Sequence, residues 1–306
     1  MAECVKKSVI DETIIECETK KTTTYSLLGF TENNKKTSIT PIYQDNSIYA
    51  ILEIIGININ NNHYNHVLDI GNPNNSINPR IDVNIDSFSN KLGNEIINIY
   101  GADSSNNFSS LRIQNFKNNS GNLTINGEFK NNVNIENATI NGNYYITNIV
   151  SNLNNISVED IFVNNSILNL NEDGIVEINN INLDTNSDIF IASNGNIGSI
   201  YTVGDIFFSG VNSSIHVNKI ESFGNIILSN NMEVIIDNIT NNNKIIFSGV
   251  GKLTSNNLDL KEINLIGDAT NRSFNNGYIN IINDITTNNI SISNIKLDFF
   301  CKKYYC

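Results

Sequence analysis

The chain has 306 residues, 40% of them hydrophobic, and a formal net charge of −12. Its few arginines, Arg80, Arg112 and Arg272, form no basic stripe, so nucleic-acid binding is not expected. No apolar run reaches the roughly 18 residues that a membrane-spanning helix needs, so we expect no membrane partner. The opening MAECVKKSVIDETIIEC contains no apolar signal segment, which predicts that the chain does not use the classical secretion route.

Residues 1–48 differ in composition from the rest of the chain. They concentrate threonine and lysine, as in ETKKTTTYS and TENNKKTSIT, and they contain two of the four cysteines. We expect this segment to form an extended or partly helical N-terminal arm and cap that lies outside any regular repeat.

From residue 49 onward, short segments rich in isoleucine, valine, leucine and phenylalanine alternate with asparagine, glycine, serine and aspartate, which predicts strands joined by turns. The first of these segments begin at residues 51, 67, 81, 96 and 111, so they recur every 14 to 16 residues. Asparagine makes up about a fifth of the chain. It tolerates turn conformations, and its side chains can stack into ladders when strands repeat in register. The regular spacing indicates a repeat protein.

Between residues 187 and 267 one seven-residue pattern occurs five times, as SDIFIAS, GDIFFSG, GNIILSN, NKIIFSG and KEINLIG. Its second residue is polar, its third is always isoleucine, its fifth is large and apolar, and its seventh is Ser, Gly or Asn. This alternation buries positions three and five, and Gly or Asn at position seven permits a positive φ that ends the strand. The predicted core ladder consists of Ile189, Ile206, Ile226, Ile245, Ile263 and, in GYINIIN, Ile279.

One pattern per coil predicts an all-β fold, a parallel β-solenoid over residues 49–298, in which each strand pairs with its equivalent about 4.8 Å away. Equivalent side chains then stack in columns, whereas a β-sandwich, the alternative fold, has no reason to repeat side-chain types. In its isoleucine and asparagine columns the chain resembles the pectin-lyase-like parallel β-helix group and other β-solenoid surface proteins. We prefer a right-handed solenoid, because the strict hexapeptide code of left-handed β-helices is absent.

All four cysteines lie near the ends of the sequence: Cys4, Cys17, Cys301 and Cys306, the last two in a tail over residues 299–306. Idle thiols and a zinc site are alternatives, although CKKYYC lacks the Cys-x-x-Cys spacing. If the solenoid is a rod, cysteines at its two ends meet more easily between copies than within one chain. We therefore expect intermolecular disulfides that lock a head-to-tail stack guided by open strand edges.

The opening MAEC loosely resembles the cysteine-bearing N-terminal connector of endospore appendage subunits, which bonds to neighbouring subunits. Those subunits have a small jelly-roll fold, so the resemblance covers the connector alone. It implies a place on a spore surface. The abundance of asparagine and isoleucine is also typical of AT-rich genomes, including those of large DNA viruses, so a virion surface is an equal expectation.

Catalysis is a competing interpretation, because right-handed β-helices often degrade polysaccharides. Asp188 and Asp205 hold equivalent positions on adjacent coils, about 5 Å apart, as paired catalytic carboxylates require; an exposed polar column is the alternative that we favour. His63 and His66, in HYNH, predict a surface loop rather than a metal site, and His216 should face outward from a strand. We expect no enzyme, no metal and no cofactor.

The predicted function is that of a structural subunit of an extracellular filament or of a spore or virion surface layer. It would assemble with further copies of itself, head to tail, with terminal disulfides as crosslinks. The alternatives are an adhesin or glycan-binding spike, whose partners would be surface glycans, and a polysaccharide-degrading β-helix enzyme.

Overall fold

The computed structural model describes residues 4–19, 23–27, 29–43, 50–60, 65–71, 80–100, 109–230, 232–249, 252–266, 276–287, 290–293 and 296–305. The regular secondary structure of these residues is entirely β-strand. Within them, no helix is long and apolar enough to cross a membrane. The chain forms two compact units, Met1–Glu159 and Asp160–Cys306, with the boundary inside one long strand.

The described residues of the first unit form twelve strands, the last of which continues past the boundary. In chain order they are β1 (Cys4–Val9), β2 (Glu12–Thr19), β3 (Thr23–Leu27), β4 (Phe30–Glu32), β5 (Lys36–Tyr43), β6 (Ala50–Ile59), β7 (Asn65–Ile70), β8 (Ile81–Asn90), β9 (Asn94–Ile99), β10 (Ser110–Asn118), β11 (Leu123–Ile140) and β12 (Tyr144–Asn164).

The second unit contains the remaining strands. They are β13 (Ile167–Leu170), β14 (Ile175–Leu183), β15 (Asp188–Ile191), β16 (Asn194–Thr202), β17 (Ile206–Phe208), β18 (Ser214–Ser222), β19 (Ile226–Asn230), β20 (Glu233–Gly249), β21 (Lys252–Ile266), β22 (Asn276–Thr287), β23 (Ile290–Ser293) and β24 (Lys296–Tyr305).

The strands of each unit pair with strands one coil further along the chain. In the first unit β6 pairs with β8 and β7 with β9, and in the second β15 pairs with β17 and β16 with β18. These pairs are parallel, and among the described registers only that of β1 with β2 is antiparallel. The predicted all-β parallel solenoid is therefore confirmed, whereas its right-handedness stays a prediction.

The predicted isoleucines of the second unit stack on one another. Ile189 pairs with Ile206, Ile206 with Ile226, Ile226 with Ile245, and Ile245 with Ile263. The side chains of four of these residues are buried: Ile189, Ile206, Ile226 and Ile245. Alternation within each short strand places these residues on the inward face, where equal shapes stack without gaps.

Ile279 does not continue this ladder, and that expectation was wrong. Ile279 pairs with Leu253, while Ile263 pairs with Ile290 of β23. Along the sequence Ile290 lies further from Ile263 than Ile263 lies from Ile245, so this coil is longer than the coil before it. Ile279, which has the expected spacing along the sequence, therefore lies in β22, whereas the ladder continues in β23.

The longer strands follow a second pattern, which the sequence analysis did not recognise. In β14 two pairs of inward residues are separated by two consecutive outward residues, Asn179 and Asn180. The buried residues of this strand are Val176, Ile178, Ile181 and Leu183. The same spacing recurs in β8, β10 and β18. Two successive outward residues require the strand to turn, so one strand lines two faces of the core.

The solenoid pairing extends beyond both predicted boundaries, so residues 1–48 and 299–306 are not outside the repeat. β2 already pairs in parallel with β5, beginning at Glu12 opposite Lys36, and β24 pairs with β22 as far as Tyr305 opposite Thr286. Composition was misleading here because part of the lysine and threonine, including Lys36, occupies outward positions of regular coil strands. The buried inward residues of β2 and β5 are Thr13, Ile15, Thr37 and Ile39.

The apolar segments that recur early in the sequence each correspond to half a coil. Ile51 of β6 lies opposite Asp82 of β8, while β7, which lies between β6 and β8 in the sequence, pairs with β9. Each early coil therefore contains two of the apolar segments. The step along the sequence from Ile51 to Asp82 is longer than the step from Ile189 to Ile206, so the coils of the second unit are shorter there.

Gly210, at position seven of the repeat, is required for a reason other than the predicted positive φ. It is not among the glycines with a left-handed backbone, which include Gly71 and Gly195. A Cβ atom on Gly210 would lie 2.5 Å from the carbonyl oxygen of Ala192 in the preceding coil. Close approach of the backbones therefore selects glycine here.

Asparagine side chains link successive coils, as the composition suggests. At the outward turn of the first unit, Asn137 Nδ2 donates to Asn115 Oδ1 (3.1 Å) and Asn155 Nδ2 donates to Asn137 Oδ1 (2.9 Å). Elsewhere in this unit, Asn94 Nδ2 donates to Asn65 Oδ1 (2.8 Å). Because each carboxamide both donates and accepts, such a ladder can pass from coil to coil.

Candidate functional site

β1 and β2 form an antiparallel hairpin at the start of the first unit. Cys4 lies opposite Cys17 in its register, and Cys4 is disulfide-bonded within the chain. The prediction that Cys4 bonds a neighbouring copy is therefore wrong. The physical reason is local: the chain reverses at Asp11, whose φ is 60°, and the hairpin supplies a close partner that a rod-shaped solenoid was not expected to offer.

The crosslinking prediction stays open for the cysteines that do not pair with Cys4. The backbone of Cys17 lies in β2, and that of Cys301 lies in β24 opposite Ile281. Cys306 lies outside the described residues. Bonds from these cysteines to other copies stay predictions.

Lys6 lies over the N-terminal end of the core. It is opposite Ile15 in the hairpin register, so the two share the inward face. Its Nζ is 3.6 Å from Glu32 Oε2 and 5.1 Å from the centre of the Phe30 ring. An ion pair and a cation–π contact therefore occupy the end of the apolar columns.

Glu32, the partner of Lys6, is buried but well supplied with donors. Its Oε1 accepts hydrogen bonds from the backbone N–H groups of Asn33 (3.0 Å) and Asn34 (3.1 Å). Burial acts to raise the pKa of Glu32, but the hydrogen bonds from Thr13 and these amides, with the charge of Lys6, outweigh it, so the pKa lies below its usual value. An inward-facing charge at a sheet edge discourages the addition of a further strand.

An ionic cluster joins three coils on the outer face of the first unit. Lys36 Nζ is 3.0 Å from Asp69 Oδ2 and 3.3 Å from Glu12 Oε1. Ser38 Oγ donates to Glu12 Oε1 (2.6 Å), and this hydrogen bond lowers the pKa of Glu12. Partial burial opposes the charge on Lys36, but Asp69 and Glu12 outweigh it and raise the pKa of Lys36. The cluster is electrostatically satisfied, so it serves to hold coils together.

Four polar side chains form a hydrogen-bonded chain inside the first unit, which the sequence analysis missed. Thr37 Oγ1 is 3.0 Å from His66 Nε2, and His66 Nδ1 is 2.8 Å from Glu95 Oε1. Asn90 Nδ2 donates to Glu95 Oε2 at 3.0 Å. All four side chains are 0% exposed. Burial raises the pKa of Glu95, although the hydrogen bonds from His66 and Asn90 act in the opposite direction.

The prediction that His66 lies in a surface loop was wrong; His63, its companion, lies outside the described residues. The spacing of β7 and β9 contained the correct signal, because each polar residue alternates with apolar ones. The inward residues of these strands are His66, Leu68 and Ile70, and Glu95, Ile97 and Ile99.

The order hydroxyl, imidazole, carboxylate in this buried chain is that of a nucleophilic triad. Here, however, Thr37, His66 and Glu95 are all fully enclosed. A substrate in solution cannot reach an atom that solvent does not reach. The arrangement therefore satisfies buried polar groups and holds three neighbouring coils together.

Asp188 and Asp205, the catalytic candidates, hydrogen-bond to the coil that follows each of them. Asp188 Oδ1 accepts from the backbone N–H of Asp205 (3.1 Å), and Asp205 Oδ1 accepts from the backbone N–H of Asn225 (2.7 Å). Asn225 Nδ2 also lies 3.2 and 3.3 Å from the two oxygens of Asp205. These residues thus form the polar column that the sequence analysis favoured, and the column fastens adjacent coils.

His216 lies on the outer face of β18, as expected, with its Nε2 3.2 Å from Asp237 Oδ1. In the part of the chain that the structure describes, no group of three or more His, Cys, Asp or Glu side chains is arranged to hold a metal ion.

An apolar ridge is exposed on the second unit where β16 and β18 end. Tyr201 and Phe223 are 42% and 44% exposed, and their rings meet edge to face with centroids 6.2 Å apart. Val203 is also exposed. Exposed apolar patches of this kind are a common feature of interaction surfaces.

Comparison of the chain with protein-family models, with curated proteins and with solved structures gave no match. The resemblances to the pectin-lyase-like group and to endospore appendage subunits therefore stay predictions.

Proposed function

We propose that this chain is a structural β-solenoid of an extracellular, spore or virion surface that is closed by its N-terminal hairpin and joins other copies through Cys301 and Cys306. The observation that carries the proposal is the disulfide of Cys4 in a hairpin whose first strand, β1, forms the N-terminal edge of the sheet. Disulfides persist in oxidising compartments, which supports a place outside the cytosol. The hydrogen bonds between asparagine side chains of successive coils support a load-bearing or spacing role.

The geometry at the N-terminal edge argues against the head-to-tail stacking that the sequence analysis preferred. β1 runs antiparallel to β2, Lys6 is directed inward toward Glu32, and Lys7 pairs with Glu16 beside it. Lysines on an edge strand and an inward charge are devices that oppose strand addition. Copies would therefore join at another surface, for which the cysteines of the last segment are the candidates.

Electrophoresis and light scattering of the oxidised full-length protein test the proposal. We expect disulfide-linked oligomers without reductant, monomers with reductant, and monomers in both conditions for the double variant Cys301→Ser/Cys306→Ser. The matched variant Cys4→Ser should still form the oligomers. A wild-type protein that is monomeric without reductant, or oligomers that require Cys4, would contradict the proposal.

A second candidate, glycan binding, is favoured by the exposed ridge of Tyr201 and Phe223. Aromatic rings bind the apolar faces of sugars, and Glu221 beside them offers a hydrogen-bond acceptor. A glycan array with the wild type and the variant Tyr201→Ala/Phe223→Ala tests it, with Val211→Ala as an exposed apolar control. Binding that the double variant loses and the control keeps would support this candidate; no binding by the wild type would remove it.

A further inference from the structure

The proton content of the buried pair of His66 and Glu95 depends on its hydrogen bonds and on the cost of a buried charge. One oxygen of Glu95 faces His66 Nδ1, and the other accepts from Asn90. The Nε2 of His66 faces the hydroxyl of Thr37, which can donate or accept. Neutral imidazole with carboxylate satisfies these contacts if Thr37 donates to Nε2, so charge and not hydrogen bonding separates it from the two forms with one more proton. Those two forms are imidazolium with carboxylate, and neutral imidazole with carboxylic acid. Both forms are electrically neutral, and both contain one proton more than neutral imidazole with carboxylate.

Losing that proton would leave an uncompensated negative charge inside the core. Above Glu95 in the next coil, β11 places Leu123, which is apolar. Of the titratable groups on the neighbouring strands, only Glu32 faces inward, and it is paired with Lys6. Those described groups are Glu12 and Glu16 on β2, Glu32 on β4, Lys36 on β5, Glu53 on β6, Asp69 on β7, Asp82 and Asp86 on β8, and Glu128 and Glu136 on β11.

We propose that the first unit takes up one proton at the His66–Glu95 pair when it folds at neutral or alkaline pH, so that its N-terminal coils are most stable in mildly acidic surroundings. This linkage goes beyond the proposed structural role and does not depend on it. Loss of the proton would loosen the coils that contain β7 and β9 as the surroundings become alkaline.

The direction of the effect follows from the protons bound in each state. In the unfolded chain Glu titrates near pH 4.5 and His near pH 6.5, so above about pH 6.5 neither retains the proton that the folded pair holds. The opening equilibrium should then rise about tenfold per pH unit. Between about pH 4.5 and 6.5 the unfolded histidine also holds one proton, and stability is level. Below about pH 4.5 the unfolded chain holds two, and stability falls again.

The raised pKa of Glu95 agrees in sign with this scheme. A carboxyl group whose folded pKa is raised contributes stability below its unfolded pKa and loses it as the pH rises through the folded value. The protonated imidazole of the unfolded chain offsets this loss up to about pH 6.5, so the loss becomes visible only above that value.

Hydrogen exchange of the full-length protein, followed peptide by peptide between pH 6 and pH 9 and corrected for the intrinsic exchange rate, tests the linkage. We expect the opening constant of β7 and β9 to rise between pH 7 and pH 9, by up to about tenfold per pH unit while the folded pair keeps its proton, and beyond any rise in β16 and β18. Glu95→Gln should abolish this excess. His216→Gln, which alters the exposed His216–Asp237 pair, should leave it unchanged.

Two outcomes would overturn the inference. One is an equal pH dependence of β7, β9, β16 and β18 in the wild type, which decides the matter even if Glu95→Gln does not fold. The other is a folded Glu95→Gln variant that keeps the wild-type pH dependence. Neither outcome bears on whether Cys301 and Cys306 join copies, so this inference and the proposed function can fail separately.

Discussion

The early coils of the first unit and the coils of the second unit use the same backbone pairing with different interiors. In the first unit, β5, β7 and β9 bring Thr37, His66 and Glu95 inside. In the second, β15, β17 and β19 stack Ile189, Ile206 and Ile226. The comparison shows that the parallel ladder itself does not depend on side-chain type. An apolar column needs only matching shapes, whereas a polar interior must satisfy every hydrogen-bonding group.

Removing one member of the polar interior should have the largest effect. His66→Ala leaves Glu95 buried without its main partner, and we expect a loss of about 3–5 kcal/mol in the unfolding free energy of the first unit. Denaturant unfolding followed by hydrogen exchange of β7 and β9 measures it. The double variant His66→Leu/Glu95→Leu, which removes both partners, should be markedly more stable than His66→Ala. Equal losses in the two variants would show that the pair is not coupled.

Shortening one member of the apolar ladder should have the next largest effect. Ile226→Ala removes a buried side chain between Ile206 and Ile245, and we expect a cost of about 2–5 kcal/mol in the second unit. The adjacent residue Ile227, on the outer face of the same strand, is the matched control, and Ile227→Ala should cost less than about 1 kcal/mol. Thermal unfolding of both variants measures the difference. A larger loss for Ile227→Ala than for Ile226→Ala would mean that Ile227, and not Ile226, faces the core.

Sequence reasoning succeeded where coils are short and alike. The columns through Ile189, Ile206, Ile226 and Ile245 could be found because their spacing varies little from coil to coil. Ile279 was misplaced because the lengthened coil after Ile263 breaks that spacing.

The interior of the first unit was harder to predict because polar residues in it resemble surface residues. His66 was assigned to a loop from its neighbours in HYNH, although it alternates with Leu68. A single histidine at an apolar spacing does not reveal its partner, since Glu95 lies on a later strand and meets it only through the coil register. The disulfide of Cys4 was likewise hidden, because the hairpin at Asp11 depends on one positive φ.

Opening the disulfide of the hairpin should affect the first unit alone. Cys4→Ser removes a covalent restraint on the unfolded chain, and we expect a loss of about 2–4 kcal/mol. Hydrogen exchange should show faster opening of β1 and β2 and no change in β15 to β19. An equal increase in the opening of the second unit would show that the disulfide does not stabilise the first unit alone.

Interrupting an asparagine ladder should have the smallest effect. Asn137→Ala removes the hydrogen bonds to Asn115 and from Asn155, and we expect a cost of about 0.5–1.5 kcal/mol. Lys117→Ala, at an exposed position of β10, is the control and should stay within about 0.5 kcal/mol of the wild type. Denaturant unfolding measures both. A ladder variant no less stable than the control would mean that water replaces the amide contacts without loss.

The one-coil parallel register is the central claim, and cysteine pairs test it most directly. Glu177 lies opposite Asn196, and Asn196 opposite His216, on the outer face of β14, β16 and β18. Adjacent coils place Cα atoms about 4.8 Å apart, within reach of a disulfide, whereas two coils place them about 9.6 Å apart, beyond it. Mass spectrometry of oxidised protein should find the bond in Glu177→Cys/Asn196→Cys and none in Glu177→Cys/His216→Cys. A bond in the second pair without one in the first would contradict the register.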